Sequence, residues 1–323
     1  MSEQPDDSTE INARPRLAVV AAGYPSLDSI YQVSHLPAPG RTGIILSRSD
    51  KRHWGGCAFN IAVGISRLGL QTGVIGTLGD DEEGRSYLQW LRENGVDSMA
   101  VTMQEGGSSP ISNLYYDPAG TSVCYYWPGA SGQPGDAGPQ SEVLRRADWL
   151  VLAVAPADLT LRLLDMAEQQ DAQPTLNIAW SVKADAHAHP SELIMRMLAA
   201  SRLIFLNTDE LRFIGEATGR STLEGILAVG PEMVVLTLGA QGSSITTRSG
   251  TVQVPAAPVR QVVDTTGSGD AYVSGFLAAY IRGATPREAA MVGARNAAAA
   301  LEQVGSQTGL RTWEEELWRQ THI

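Results

Sequence analysis

From Leu17 onward, short apolar runs alternate with longer stretches in which apolar positions recur every three or four residues. Residues 17–22 are apolar throughout and end at Gly23, which predicts a buried strand. Residues 57–68 predict a helix stopped by Gly69, residues 72–77 a strand, and residues 83–94 a helix capped at Asn94-Gly95. Strands are expected at 149–155 and 175–179, on either side of a helical 157–170. Residues 202–206 and 233–238 repeat the strand pattern. Residues 271–282 and 286–302 are Ala-rich helices, and 313–319 a short closing one. Strands alternating with helices at this spacing predict an α/β fold whose mostly parallel sheet is covered on both faces.

Two stretches break the rhythm. Residues 29–53 carry β-like runs at 30–33 and 43–47 with no helix between them. Residues 108–127 read as a hairpin, 111–116 and 121–127, turning at Asp117-Pro118-Ala119-Gly120. Both are expected in a small antiparallel sheet outside the main body, placed to act as a lid. No 20–50-residue repeat and no linker interrupts the chain. The expected organisation is a polar, frayed tail over residues 1–16 and one domain over residues 17–323.

Composition narrows the function. The net charge of −11 argues against binding a phosphate backbone or an anionic membrane surface, so neither nucleic acid nor membrane is an expected partner. The two cysteines, Cys57 and Cys124, lack metal-site spacing and suit a reducing cytoplasm. The apolar runs are too short to span a bilayer, and the tail lacks the apolar core of a secretion signal. Only Lys51 and Lys183 are lysines, and neither follows a glycine-rich run. That excludes a P-loop nucleotide site and the protein-kinase signature set.

The chemistry concentrates in glycine-rich segments. Asp264-Thr265-Thr266-Gly267-Ser268-Gly269-Asp270 runs from a strand-like 259–263 into a long helix. Its Gly-Ser-Gly leaves backbone N–H groups open at a helix N-terminus, which makes an anion site. Asp270 in the first turn is placed to take a proton from a hydroxyl attacking a phosphoryl group held there. Gly55-Gly56-Cys57-Ala58-Phe59-Asn60 is a second such turn, where a ligand can approach the backbone and Asn60 can bond a hydroxyl. It is followed by Gly79-Asp80-Asp81-Glu82-Glu83-Gly84.

Together these segments resemble the signatures of the ribokinase/PfkB family of carbohydrate and nucleoside kinases, in the same order along the chain. The resemblance implies a ribokinase-like three-layer α/β/α sandwich with a small β-sheet lid. It implies Asp270 as catalytic base, with Gly267, Ser268 and Gly269 as the anion hole. Asp28, Gly55, Gly56 and Asn60 would bind substrate, although Tyr24-Pro25 departs from the family pattern before Asp28.

Asn207-Thr208-Asp209-Glu210 resembles the family's N-x-x-E motif, implying that Asn207 and Glu210 organise Mg²⁺ and phosphate through water. The same spacing is a capping box at a helix start. Thr237, Gly239 and Gly242 fall in a T-x-G-x-x-G nucleotide loop, and Asn296 matches a position beside the adenine. The alanines after Asn296 read as helix packing. Asp264, Thr266 and Gly305 resemble a loop pair that lends backbone oxygens to a monovalent cation such as K⁺.

The expected activity is ATP-dependent, Mg²⁺-dependent transfer of the γ-phosphoryl group to a primary hydroxyl of a furanose or related sugar. Aromatics are only 6% of the chain, offering few stacking platforms, so a sugar is favoured over the alternative, an adenosine-type ribonucleoside. A non-catalytic sugar-binding relative is a second alternative. Trp54 or Trp127 is expected to lie near bound substrate, and the lid is where a homodimer would form. His187 and His189 read as loop residues rather than metal ligands.

Overall fold

The computed structural model describes residues 14–169, 176–183 and 190–313. The chain opens with β1 (Leu17–Ala22), β2 (Ser26–Val33), β3 (Ile45–Arg48), β4 (His53–Gly55) and α1 (Cys57–Arg67). Next come β5 (Thr72–Gly79), α2 (Glu82–Glu93), β6 (Val96–Asp97), β7 (Val101–Gln104), β8 (Ile111–Tyr116) and β9 (Ser122–Trp127). The middle of the chain forms α3 (Ala137–Arg145), β10 (Ala147–Leu152), α4 (Ala157–Glu168), β11 (Asn177–Ser181) and α5 (Ser191–Ala200). It continues with β12 (Leu203–Asn207), α6 (Thr208–Thr218), α7 (Leu223–Leu227), β13 (Met233–Thr237), β14 (Ser243–Thr247) and β15 (Gly250–Val254). Two long helices follow, α8 (Ser268–Ile281) and α9 (Pro286–Leu301).

The large sheet runs β15-β14-β13-β12-β11-β10-β1-β5-β6, with β7 also on β5. It is parallel from β13 across to β6 and antiparallel only at β14 and β15. β1 is apolar at every position because both of its faces are covered. Val19 and Ala21 pack in one cluster with Phe59 of α1, Phe276 of α8 and Val292 of α9. Leu17, Val20 and Ala22 pack in the other, against Leu144 of α3, Leu163 of α4 and Met197 of α5. The result is the three-layer α/β/α architecture read from the periodicity. Its parallel strands end on a common edge, where open α/β sheets bind ligands.

The small sheet runs β3-β2-β8-β9, with β4 also on β2. It differs from expectation in one respect: β2 and β8 pair in parallel, from Leu27 opposite Ile111 to Gln32 opposite Tyr116. A tight turn can join only antiparallel neighbours, but β2 and β8 are joined through α1, β5 and α2, which is crossover enough. The hairpin β8–β9 is antiparallel as expected.

A second expectation fails at 259–263, which is not a strand. Val262 and Val263 are 57% and 45% exposed, and the N–H groups of Val263 and Asp264 donate to the Leu301 carbonyl. The β-branched run finds no sheet partner because α9 already occupies that side. The expected strand at 175–179 is found as β11, two residues later. The closing helix at 313–319, His187, His189 and most of the expected tail lie outside the described residues.

Candidate active site

Helix α8 begins at Gly267, whose φ of 74° is left-handed. A Cβ there would sit 2.4 Å from the Ser306 Cβ, so the residue must be glycine for both conformation and space. Asp270, in the first turn, is only 4% exposed. Its Oδ2 accepts a 2.8 Å hydrogen bond from Asn60 Nδ2. Its Oδ1 is buried and accepts no hydrogen bond from any described group. Lys183, just beyond β11, brings Nζ to 3.7 Å from that oxygen and 3.8 Å from Glu210 Oε1. Burial opposes the charge on Lys183, but Asp270, Cys57 and Glu210 outweigh it and hold the ammonium above its ordinary range. Burial raises the pKa of Glu210, and Lys183 draws it back down.

A cavity of about 200 Å³ opens beside Asp270, between the small sheet and the body. Asp28, Ser112, Asn60 and Asp270 give it a polar side, and Tyr24, Leu114, Tyr126 and Val154 an apolar one. Burial pushes the Asp28 carboxyl up to about 6, against hydrogen bonds from Ser26 and Ser112, and the charges on Asp264 and Asp270 add to the rise. A Cβ on Gly55 would lie 2.1 Å from Asp28 Oδ2, so the glycine exists to admit that carboxylate.

The tryptophan expectation is corrected here. Trp54 stacks on Tyr87 and Trp90, and Trp127, on the outer face of β9, is 50% exposed. Strand alternation turns Tyr126 inward, and its ring meets that of Tyr24 with centroids 5.5 Å apart.

A larger cavity of about 620 Å³ lies on the other side of the α8 N-terminus. Thr237, Gly239 and Gly242 line it from the β13–β14 turn, and Val259, Val262 and Ala294, Ala297 and Ala298 supply apolar walls. Asn296 does not line it. Its side chain is wholly buried, donating from Nδ2 to the Ala271 carbonyl at 2.7 Å and accepting from the Arg311 N–H. One step along a helix rotates the side chain by about 100°, so Asn296 faces α8 while the alanines after it face the cavity. The two cavities meet at the α8 N-terminus: Ser268 and Gly269 line the larger, Gly267 and Asp270 the smaller.

Asn207 and Glu210 form the reciprocal capping box of α6. Asn207 Oδ1 accepts from the N–H groups of Asp209 and Glu210, and Glu210 Oε2 accepts from the Asn207 N–H. This leaves Glu210 Oε1 for Lys183, whereas Asn207 lines neither cavity. Asp264 gathers its loop pair: Oδ1 accepts from the Thr266 N–H and hydroxyl, and Oδ2 from the Gly305 N–H at 2.8 Å. Among the described residues no three His, Cys, Asp or Glu side chains form a metal-binding cluster, and no helix is long and apolar enough to cross a membrane.

Sequence reasoning passed over Lys183, Tyr24 and Tyr126 as site residues. Lys183 had a usable signal, being one of two lysines and standing just past a buried strand. The inward turn of Tyr126 needed the register of β8 and β9.

A model of the pfkB family of carbohydrate kinases matches residues 25–313. The chain is 28% identical over 303 residues to a nucleoside kinase of Methanothermobacter thermautotrophicus, covering 94% of this chain and 95% of that one. Among solved structures it resembles a Burkholderia thailandensis nucleoside kinase in complex with inosine, at TM-score 0.82 and 21% identity, over 94% of this chain and 96% of that one. It also resembles Arabidopsis thaliana ribokinase complexed with ribose and ATP, at TM-score 0.78 and 20% identity, over 95% and 99% of the two chains.

Proposed function

The chain belongs to the pfkB family of carbohydrate kinases, a phosphotransferase acting on hydroxyl groups of sugars or nucleosides, and from that premise we propose that its acceptor is the primary hydroxyl of a ribonucleoside. The carrying observation is the pair of cavities that meet at the α8 N-terminus. ATP would occupy the larger, with its γ-phosphoryl at the amides of residues 267–269, and the acceptor the smaller. In this reading Asp28 holds ribose hydroxyls, and Tyr24 and Tyr126, whose rings pack together, form an aromatic wall for the base, which supports a nucleoside over a free sugar.

The Asp270 carboxylate takes the proton of the attacking hydroxyl as its oxygen bonds to the γ-phosphorus. The bond from that phosphorus to the β–γ bridging oxygen breaks, and ADP leaves with the electron pair. The anion-hole amides and Lys183 hold the charge on the transferred group. Mg²⁺ suits the site, because that ion needs only one or two protein carboxylates beside phosphate oxygens and water. Glu210, whose Oε1 faces Lys183 and Asp270, would hold it through water, and it would neutralise phosphate charge. K⁺ suits the Asp264 loop pair, whose buried carboxylate has no ion pair among the described residues. Backbone oxygens around Thr266 and Gly305 would hold that ion.

The test is ADP release across a panel of ribonucleosides, ribose and fructose. Nucleosides should be preferred, and Tyr126→Ala should raise their KM by roughly tenfold, the worth of lost base stacking, while leaving ribose unchanged. Equal use of ribose, unaffected by the substitution, returns the assignment to a sugar. No ADP release with any acceptor, despite ATP binding, supports a non-catalytic relative.

Assembly and location follow the same reading. β9 turns Val123, Tyr125 and Trp127 outward, at 38%, 67% and 50% exposure, and Ile45 on β3 is 53% exposed. A second copy of the chain would cover this face. Sedimentation should give a dimer that Trp127→Glu converts to monomer. A reducing cytoplasm suits the two cysteines, neither of which forms a disulfide.

A further inference from the structure

Gln307 is 3% exposed and has no place in either cavity lining, yet its amide is fully engaged. Nε2 donates to Asn60 Oδ1 at 3.0 Å and to the Tyr87 hydroxyl at 2.9 Å, and Oε1 accepts from Trp90 Nε1 at 2.8 Å. Tyr87 in turn donates to the Gly55 carbonyl at 2.6 Å. An indole N–H can only donate, so Gln307 must present its oxygen to Trp90 and its NH₂ to Asn60. Asn60 must then turn its own oxygen toward Gln307 and its NH₂ toward Asp270 Oδ2. The orientation of each amide follows from the one before it.

We infer that Gln307 is a positioning residue that, through Asn60, fixes Asp270 with Oδ2 hydrogen-bonded and Oδ1 free to take the acceptor's proton. The inference deepens the proposed function and rests on Asp270 being the base. It gives Asn60, which lines the smaller cavity and is expected from the sequence to grip a substrate hydroxyl, the further part of holding the carboxylate. The charged and titratable groups facing Asp270 are Lys183 after β11, Glu210 on α6, Cys57 on α1 and Asp28 on β2. Lys183 Nζ stands 3.7 Å from Oδ1, beyond hydrogen-bond reach, whereas the Asn60 amide holds Oδ2 at 2.8 Å.

Gln307→Glu keeps the shape but replaces the donor with an acceptor. Asn60 should then flip and turn its oxygen toward Asp270, disfavouring the ionised carboxylate. With its only hydrogen bond lost, the carboxylate is no longer held in place, and kcat should fall by roughly tenfold or more. The acceptor KM should stay within about twofold. Gln307→Met, close in volume and without hydrogen bonds, should lower kcat without the acceptor KM and guards against misfolding of the buried glutamate. In an Asp270→Asn background, neither substitution should lower kcat further, because both act through that carboxylate. An unchanged kcat in both variants, or a rise in acceptor KM alone, overturns the positioning role. If Asp270→Asn itself turns over within a few-fold of wild type, the base assignment beneath it falls instead.

Discussion

The two cavities are built on opposite principles. The smaller depends on side chains: Asp28 and Asp270 are buried carboxylates, each tied to named donors, and Gly55 is shaped around one of them. The larger depends on backbone and smallness, with alanines and glycines for walls and the open amides of the α8 N-terminus at its inner end. The first is therefore sensitive to charge, protonation and single-atom changes. The second is sensitive to volume and indifferent to pH. A kinase can use both, because ATP brings its own charges and hydrogen-bonding groups, whereas a hydroxyl must be activated by the protein.

The sharpest way to break this contrast is Asp270→Asn. Turnover should fall by about 10²–10⁴-fold, since the amide cannot take the proton, while calorimetry should find ATP affinity nearly unchanged. A large loss of ATP affinity would mean the larger cavity also relies on that charge.

Next in size is a purely steric change on the other side. Ala297→Leu adds bulk to a wall of the larger cavity and should raise the KM for ATP by roughly tenfold, with the acceptor KM held within about twofold. Steady-state titration of each substrate decides this. An effect on the acceptor alone would misplace the nucleotide.

Glu210→Gln separates structure from charge at one residue. Glutamine can still complete the capping box, so stability should drop by less than the loss of a whole cap, about 1 kcal/mol. Turnover should fall several-fold, with a weaker response to Mg²⁺. A lower melting point with unaltered Mg²⁺ response leaves only the capping role.

The smallest effect is the pH dependence of Asp28. Its native pKa of about 6 stands above the ordinary aspartate value near 4, so the folded protein holds this proton more tightly than the unfolded chain. The stability this contributes is fully present below about pH 4 and is lost as pH rises through about 6. Binding runs the other way, because ribose hydroxyls need the ionised acceptor. The acceptor KM should rise a few-fold as pH falls below about 6, and Asp28→Asn should flatten the profile. A pH-independent KM in the wild type removes Asp28 from the hydroxyl contacts.

The layered fold was legible in the sequence because covered parallel strands and amphipathic helices obey a local periodicity, as in the fully apolar β1. Gly267 and Asp270 were legible too, since a left-handed turn and an N-terminal carboxylate need those residues in consecutive order. The sequence determined the motif residues and the run of adjacent backbone amides at the α8 N-terminus. Tertiary structure alone decided the partners. Asn296 faces α8 and Ala297 the cavity through one helical step, Tyr126 faces inward through strand register, and β2 pairs in parallel with β8. Asn60 is turned by Gln307, a residue far along the chain, and Lys183 meets Asp270 only because β11 ends and α8 begins at one edge. Such pairings depend on distances between separate elements, which no local pattern of residues encodes.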